Sequence, residues 1–254
     1  FDSERLKDMA QNGWNFLPEN TTTAVVDDPI VDKMYDGYCG PSEDIQAVTM
    51  SPLSLFTYFL PRSFWRHVAS ESNRYWKQTL ESRLNKMVER ENAVMTRPRR
   101  SKDALRRKLE KFQRILPHEI LQWIGLMLAH ALNPRKRFES HWCVAEDGVI
   151  PAGTFGKVMS RDRFRDITRY LHFSDNEVPE ATKDRAWKIR PILATLERTF
   201  NAGYVLGPRV AIDEGMLPSR NRMNPTRQYM KDKPHKWGSK CVMTCCAETG
   251  YCKR

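Results

Sequence analysis

Asp213 and Glu214 stand at the end of a short apolar alternation, Val210-Ala-Ile-Asp213, and a dense run of bases follows. The bases are Arg220, Arg222, Arg227, Lys231, Lys233, Lys236 and Lys240, opposed only by Asp232. A carboxylate delivered by a strand can ligate a hard divalent cation. Clustered lysines and arginines can neutralise a polyanion. Both chemistries need the acid and the bases on one surface. The alternation predicts a strand at residues 210–213, with Gly215 and Pro218 as breakers after it. A second strand is predicted over residues 240–247, which makes the basic run a loop between two strands. In a regular strand Glu214 faces away from the side that carries Asp213. Trp237 lies in the same loop. It either anchors the turn beside Gly238, so that its removal chiefly destabilises the chain, or stacks on an unpaired base.

The residues before this pair of strands read as helices. Ser51 and Pro52 start one, with Leu53, Phe56, Phe59 and Leu60 on a face. After Pro61 a longer helix is predicted, in which Phe64, Val68, Tyr75, Trp76, Leu80, Leu84, Met87 and Val88 form the buried stripe. Glu71, Asn73 and Arg74 fall on its polar side. From Ser101 the sequence is again helix-compatible, with Leu105, Leu109 and Phe112 on one face. Residues 117–129 open on a proline, place Glu119 in the first turn and are apolar nearly all round, which predicts a central helix. Ser160 is a good N-cap for a helix to about residue 172, buried through Phe164, Ile167 and Leu171. Ile189, Ile192, Leu193, Leu196 and Phe200 mark the last helix. The fold class is mainly α with a small β part, an α+β chain.

Charge is polarised along the sequence. Residues 1–50 carry ten acids against three bases, while the chain as a whole is +11, so the body carries +18. A basic body points to a polyanionic partner, most often nucleic acid. The acidic lead is turn-rich, lacks a sustained apolar period and is expected to be largely disordered. Residues 97–114 hold nine bases, and Arg97, Arg99, Arg100 and Lys102 suit either a nuclear-import signal or a phosphate clamp. The longest apolar run, residues 120–132, is interrupted by Gln122 and His130 and is too short to span a bilayer. His118, His130 and His141 do not make a metal constellation. Cys241, Cys245, Cys246 and Cys252 sit in or beside a strand pattern that turns adjacent thiols to opposite faces, which favours buried thiols over a zinc site.

Several segments together resemble piggyBac-type transposases and their domesticated relatives. They are AIDEGMLPSRNR, RQYMKDKPHKWGSK and the ETGY after the second strand, in that order and spacing. Met159-Ser-Arg-Asp-Arg-Phe164, Tyr170-Leu-His-Phe173 and Lys188-Ile-Arg-Pro-Ile192 are similar to upstream segments of that family. The resemblance covers roughly residues 51–254. It implies a helical dimerisation and DNA-binding region over residues 51–206, then the first strands of an RNase H-like catalytic domain over 207–254. It also implies cut-and-paste DNA transposition by two-metal phosphodiester hydrolysis and strand transfer, with Mg2+ or Mn2+ held by three aspartates. Asp213 matches the first aspartate, as catalytic and metal-binding residue. The bases from Arg220 to Lys240 would lie against DNA. The implied partners are transposon ends, target DNA and a second copy of the chain, in the nucleus and without a membrane. The other two aspartates are expected beyond Arg254, so this chain is expected to be a fragment or a decayed copy, and inactive alone. The alternative is a domesticated, non-catalytic DNA-binding or chromatin-associated protein on the same scaffold.

Overall fold

A computed structural model of the chain describes residues 3–12, 35–93, 98–143 and 154–254. Most of the acidic lead, Arg97 and residues 144–153 lie outside them. Helix α1 (Ser3–Asn12) belongs to the lead. Strand β1 (Gly40–Pro41) and the single turn α2 (Glu43–Gln46) come at its end. Helix α3 (Pro52–Phe59) begins where Ser51 Oγ accepts the Ser54 N–H at 3.2 Å and Pro52 has no N–H to satisfy. Pro61 separates it from α4 (Arg62–Asn92), whose 31 residues span about 46 Å. The corner is fastened by Trp65 Nε1, which donates to Leu60 O at 3.0 Å. Helix α5 (Lys102–Glu110) is capped by Ser101 Oγ on the Ala104 N–H at 3.2 Å. Helix α6 (Pro117–Leu132) opens on its proline. Ser160 Oγ caps α7 (Arg161–Tyr170) through the Arg163 N–H at 3.2 Å. A single turn, α8 (Glu180–Lys183), follows. Helix α9 (Arg190–Gly203) carries Pro191 in its first turn and runs into β2 (Tyr204–Val205), which pairs antiparallel with β1. Ser42 N also donates to Gly203 O at 2.9 Å, and Ile45 is buried. The folded body therefore begins before residue 51.

The helices bury one apolar cluster. Phe64, Trp65, Val68 and Ala69 of α4 meet Ile115, Ile120 and Leu126 of α6 and its approach, and Phe164, Ile167 and Tyr170 of α7. Burial of such side chains is the main favourable contribution to the helical body. The buried face of α4 differs from the predicted stripe, because Glu71 and Ser72 lie inside it. Glu71 pairs with Arg74 at 3.1 Å, and Arg74 reaches on to Asp175 at 3.0 Å. Asn73 is not a solvent-facing residue either. Its amide grips the backbone of Ile115 both ways, Nδ2 to O and N to Oδ1, each at 2.9 Å. Asn73 and Ser72 turn inward toward partners 42 and 100 positions away, Ile115 and His172. Helix α6 is likewise not enclosed all round. Ile120 and Leu126 are buried, but Leu128 is 59% and Leu132 89% exposed, since α4 and α7 pack against one side only.

Helix α7 is tied to α6 by a part-buried ionic network. Arg163 forks onto Glu119, Nε to Oε1 at 2.7 Å and Nη2 to Oε2 at 2.5 Å. Its remaining N–H groups reach Gln113 O at 2.8 Å and Arg114 O at 3.0 Å. Glu119 Oε2 also accepts the Leu116 N–H at 2.8 Å, which caps α6. Burial pushes the Glu119 carboxyl up, but the Arg163 fork and the Leu116 N–H outweigh it and hold the group below the usual carboxylate range.

The C-terminal part is an antiparallel sheet of β3 (Val210–Pro218), β4 (Arg227–Tyr229) and β5 (Trp237–Cys246), in the order β3-β5-β4. The basic segment is thus not wholly a loop. Arg227, Gln228 and Tyr229 pair with Ser239, Gly238 and Trp237, which is why β5 starts at Trp237 instead of residue 240. The observed fold is α+β, with helices followed by small antiparallel sheets.

Candidate nucleic-acid interface

The register of the sheet places each predicted site residue. Asp213 pairs with Met243, and Glu214 with Val242. Directly opposed residues share a face, so Asp213 and Glu214 project to opposite sides. Asp213 is exposed and its Oδ1 accepts the Glu214 N–H at 2.6 Å. Glu214 makes an ion pair with Lys240 on its own face. Among the described residues no three His, Cys, Asp or Glu side chains converge as a metal-binding group. His130 Nδ1 and His141 Nε2 are 3.0 Å apart in an aromatic cluster with Phe138 and Phe155. Cys246 is buried and the other strand cysteines are partly buried.

The seven bases divide into two groups. Lys240 is held by Glu214, and Lys233 Nζ donates to Glu214 O at 2.7 Å. Arg227 lies 4.0 Å over the Trp237 ring and donates through Nη1 to Arg220 O at 3.1 Å. These three hold the sheet and its connection together. Arg220, Arg222, Lys231 and Lys236 are exposed and make no ion pair among the described residues. They remain available to a mobile anion, and Asp232 is the one acid within their segment. Arg220 and Arg222 lie in the connection between β3 and β4, and Lys231 and Lys236 in that between β4 and β5. In the upstream basic run, Arg100 is forked onto buried Glu91 at 2.9 Å and Arg106 onto Glu81 at 2.7 Å. Part of that run is therefore structural, while Arg99, Lys102, Arg107, Lys108 and Lys111 make no ion pair among the described residues.

Trp237 departs from the turn-anchor expectation. It is 42% exposed, and its strand neighbour Tyr229 is 52% exposed, with ring centroids 4.9 Å apart. The residue that anchors the crossing is Gly238, buried against the Leu217 carbonyl. Tyr229 was missed in the sequence because β4 is only three residues long and its pairing is non-local.

A sheet that ends in a carboxylate strand and free cations, carried on a helical body, suits a protein that handles a polyanionic strand. Residues 51–254 match the family model described as Transposase IS4. The chain belongs to this transposase family, in its piggyBac-type branch. It is 23% identical over 207 residues to the human PiggyBac transposable element-derived protein 2, covering 78% of this chain and 28% of that protein. It also resembles a solved chain from a cryo-EM piggyBac transposase synaptic complex with hairpin DNA. There the TM-score is 0.59 at 20% identity, over 86% of this chain and 40% of the other. This chain thus spans 28% of the curated relative's length. No helix among the described residues is long and apolar enough to cross a membrane.

Proposed function

We propose that this chain is a DNA-handling part of a piggyBac-type cut-and-paste transposase, and that it takes a DNA strand along Arg220, Arg222, Lys231 and Lys236, in the connections of the sheet whose strand β3 carries Asp213. The observation that carries the reading is the exposure of these four cations in the two connections of the sheet, with no ion pair among the described residues. Cations placed this way neutralise phosphates and release counterions, whatever the base sequence. The region 51–206 would be the helical dimerisation and DNA-binding part, and 207–254 the opening strands of an RNase H-like domain. Transposon ends and target DNA would be the substrates, the nucleus the compartment and a homodimer the assembly.

The experiment is an anisotropy titration against duplex DNA at 50 to 200 mM salt. If the whole basic body contacts about 6–10 phosphates, affinity falls by roughly three to five decades over that range. Arg220→Glu with Lys236→Glu is expected to weaken binding and to flatten the log–log salt slope by about 2, with the melting curve unchanged. Unchanged binding by the double variant would mean that this surface is only solvated.

The metal chemistry belongs to the complete family enzyme. Transposases of this type use divalent metal, and Mg2+ or Mn2+ is the proposed ion, with Asp213 one of its carboxylate ligands. The described residues do not fit a two-metal site by themselves, because Glu214 faces the other way and no further acid converges on Asp213. The isolated chain is therefore expected to show no Mg2+-dependent nicking or joining of DNA. Nicking by pure protein that Asp213→Ala abolishes would contradict this. The lone carboxylate also suits a second reading, a domesticated DNA-binding protein that keeps the cationic surface without the reaction.

A further inference from the structure

The end of the sheet carries more than charge. Trp237 and Tyr229 are neighbours across β5 and β4, both exposed, in a segment rich in charged residues. Exposed paired aromatics cost solvation that the fold does not recover, unlike the aromatic rings of the helical core. The Trp237 ring is also held in place. The Arg227 guanidinium lies 4.0 Å over it and is itself tied to Arg220 O, so the indole is pre-oriented instead of swinging freely. The ring lines a cleft of about 260 Å³ with Pro218, Arg220, Pro234, His235 and Lys236. Two prolines give it stiff apolar walls, and Arg220 and Lys236 put unpaired cations beside the indole.

We propose that this cleft is a stacking site for a single unpaired nucleobase, with Trp237 as the platform and Arg220 and Lys236 holding the phosphates on either side of that nucleotide. It rests on the DNA reading above and deepens it. Duplex phosphates alone would use the four cations and leave the indole idle. A base freed from the stack offers a flat π-face for the indole and has a phosphate on each side. That combination of an aromatic platform with cations is how single strands are held without reading their sequence. The geometry therefore assigns the surface to DNA that is locally unpaired, such as an overhang or an extruded base, in preference to intact duplex.

The test uses the full chain and three duplex probes of one sequence. One is blunt, one carries a short single-stranded overhang with 2-aminopurine, and one carries abasic residues in place of the overhang bases. The overhang probe is expected to bind the unsubstituted protein about tenfold more tightly than the blunt or abasic probe, with quenched 2-aminopurine emission. Trp237→Phe should keep most of the preference, and Trp237→Ala should abolish it. Equal affinity for the overhang and abasic probes overturns the proposal without any variant, so a poorly folded Ala protein does not rescue it. Steeply salt-dependent binding of all three probes without preference sinks the stacking site and leaves the phosphate reading intact. Failure to bind any of them ends both.

Discussion

Arg163→Met is expected to lower stability by about 3 kcal/mol at neutral pH, a fall in Tm of roughly 6–12 °C. The side chains of Arg163 and Glu119 are only 13% and 17% exposed, so the pair is nearly removed from water. Methionine fills much of the same space but leaves the Glu119 carboxylate without its cation. It also leaves Gln113 O and Arg114 O without their donors. Breaking one side of a buried pair costs more than the pair contributes, because the remaining charge stays desolvated. The pH dependence gives the prediction its signature. Glu119 is held below its ordinary value in the folded chain, so its contribution is complete above the usual carboxylate range, near pH 4–5, and is lost as pH falls through the lower folded value. In Arg163→Met burial is opposed only by the Leu116 N–H and the nearby His118, and the group shifts upward from its place in the unsubstituted chain. Urea melts of both proteins should therefore converge as the pH is lowered. A gap that stays constant down to pH 3 would mean that Arg163 acts by packing alone.

Gly238→Ala is expected to cost about 3 kcal/mol by opening the end of the sheet. A Cβ at Gly238 would stand 2.1 Å from the Leu217 carbonyl oxygen and 2.7 Å from Met216 Sδ. Sulfur at the end of a flexible side chain can move, but a backbone oxygen in a paired strand cannot move without breaking the Pro218–Gly238 register. Overpacking of this kind typically costs 1–3 kcal/mol, and here the obstacle is main chain, so the upper end applies. Trp237 precedes Gly238 on β5 and Arg227 lies over it from β4, so the variant should also lose the preference for unpaired DNA. Gly125→Ala is the control. That glycine lies inside α6 with nothing within 4 Å of an added Cβ, and alanine there should stabilise the chain by about 0.5–1 kcal/mol. Denaturant midpoints of the two variants should move in opposite directions. Equal, small shifts would refute the close approach of β3 and β5.

Local chemistry was legible before any coordinates. Ser51, Ser101 and Ser160 are N-caps in the structure as their positions suggest, because a cap needs only the first helical turn to act. The strand with Asp213 was legible from its alternation, but not its length: β3 runs on through Gly215 to Pro218, the residues read as breakers, because β5 pairs with both. Non-local features were not. Asn73 reads as a surface residue until Ile115 is brought beside it from 42 positions away. β4 carries a basic and a polar residue among its three, so no apolar alternation announces it, and only the partner strand makes it one. The seven bases look alike in the sequence. Lys233, Lys240 and Arg227 differ from the other four only through contacts made by Glu214, Trp237 and the Arg220 carbonyl. Composition gave the site's sign, and the fold decides which charges are free. The exposed side of α6 was also hidden, since an apolar helix looks the same in sequence whether neighbours cover one side or both.

On the proposed function, Arg220, Arg222, Lys231 and Lys236, in the connections of the sheet, form the surface that meets DNA. Amide hydrogen exchange of the chain with and without an overhang duplex tests it most directly. The account predicts new protection across residues 219–237, with residues 98–111 and the exposed side of α6 changing less. Protection confined to residues 98–111, with residues 219–237 exchanging as in the free protein, would contradict it.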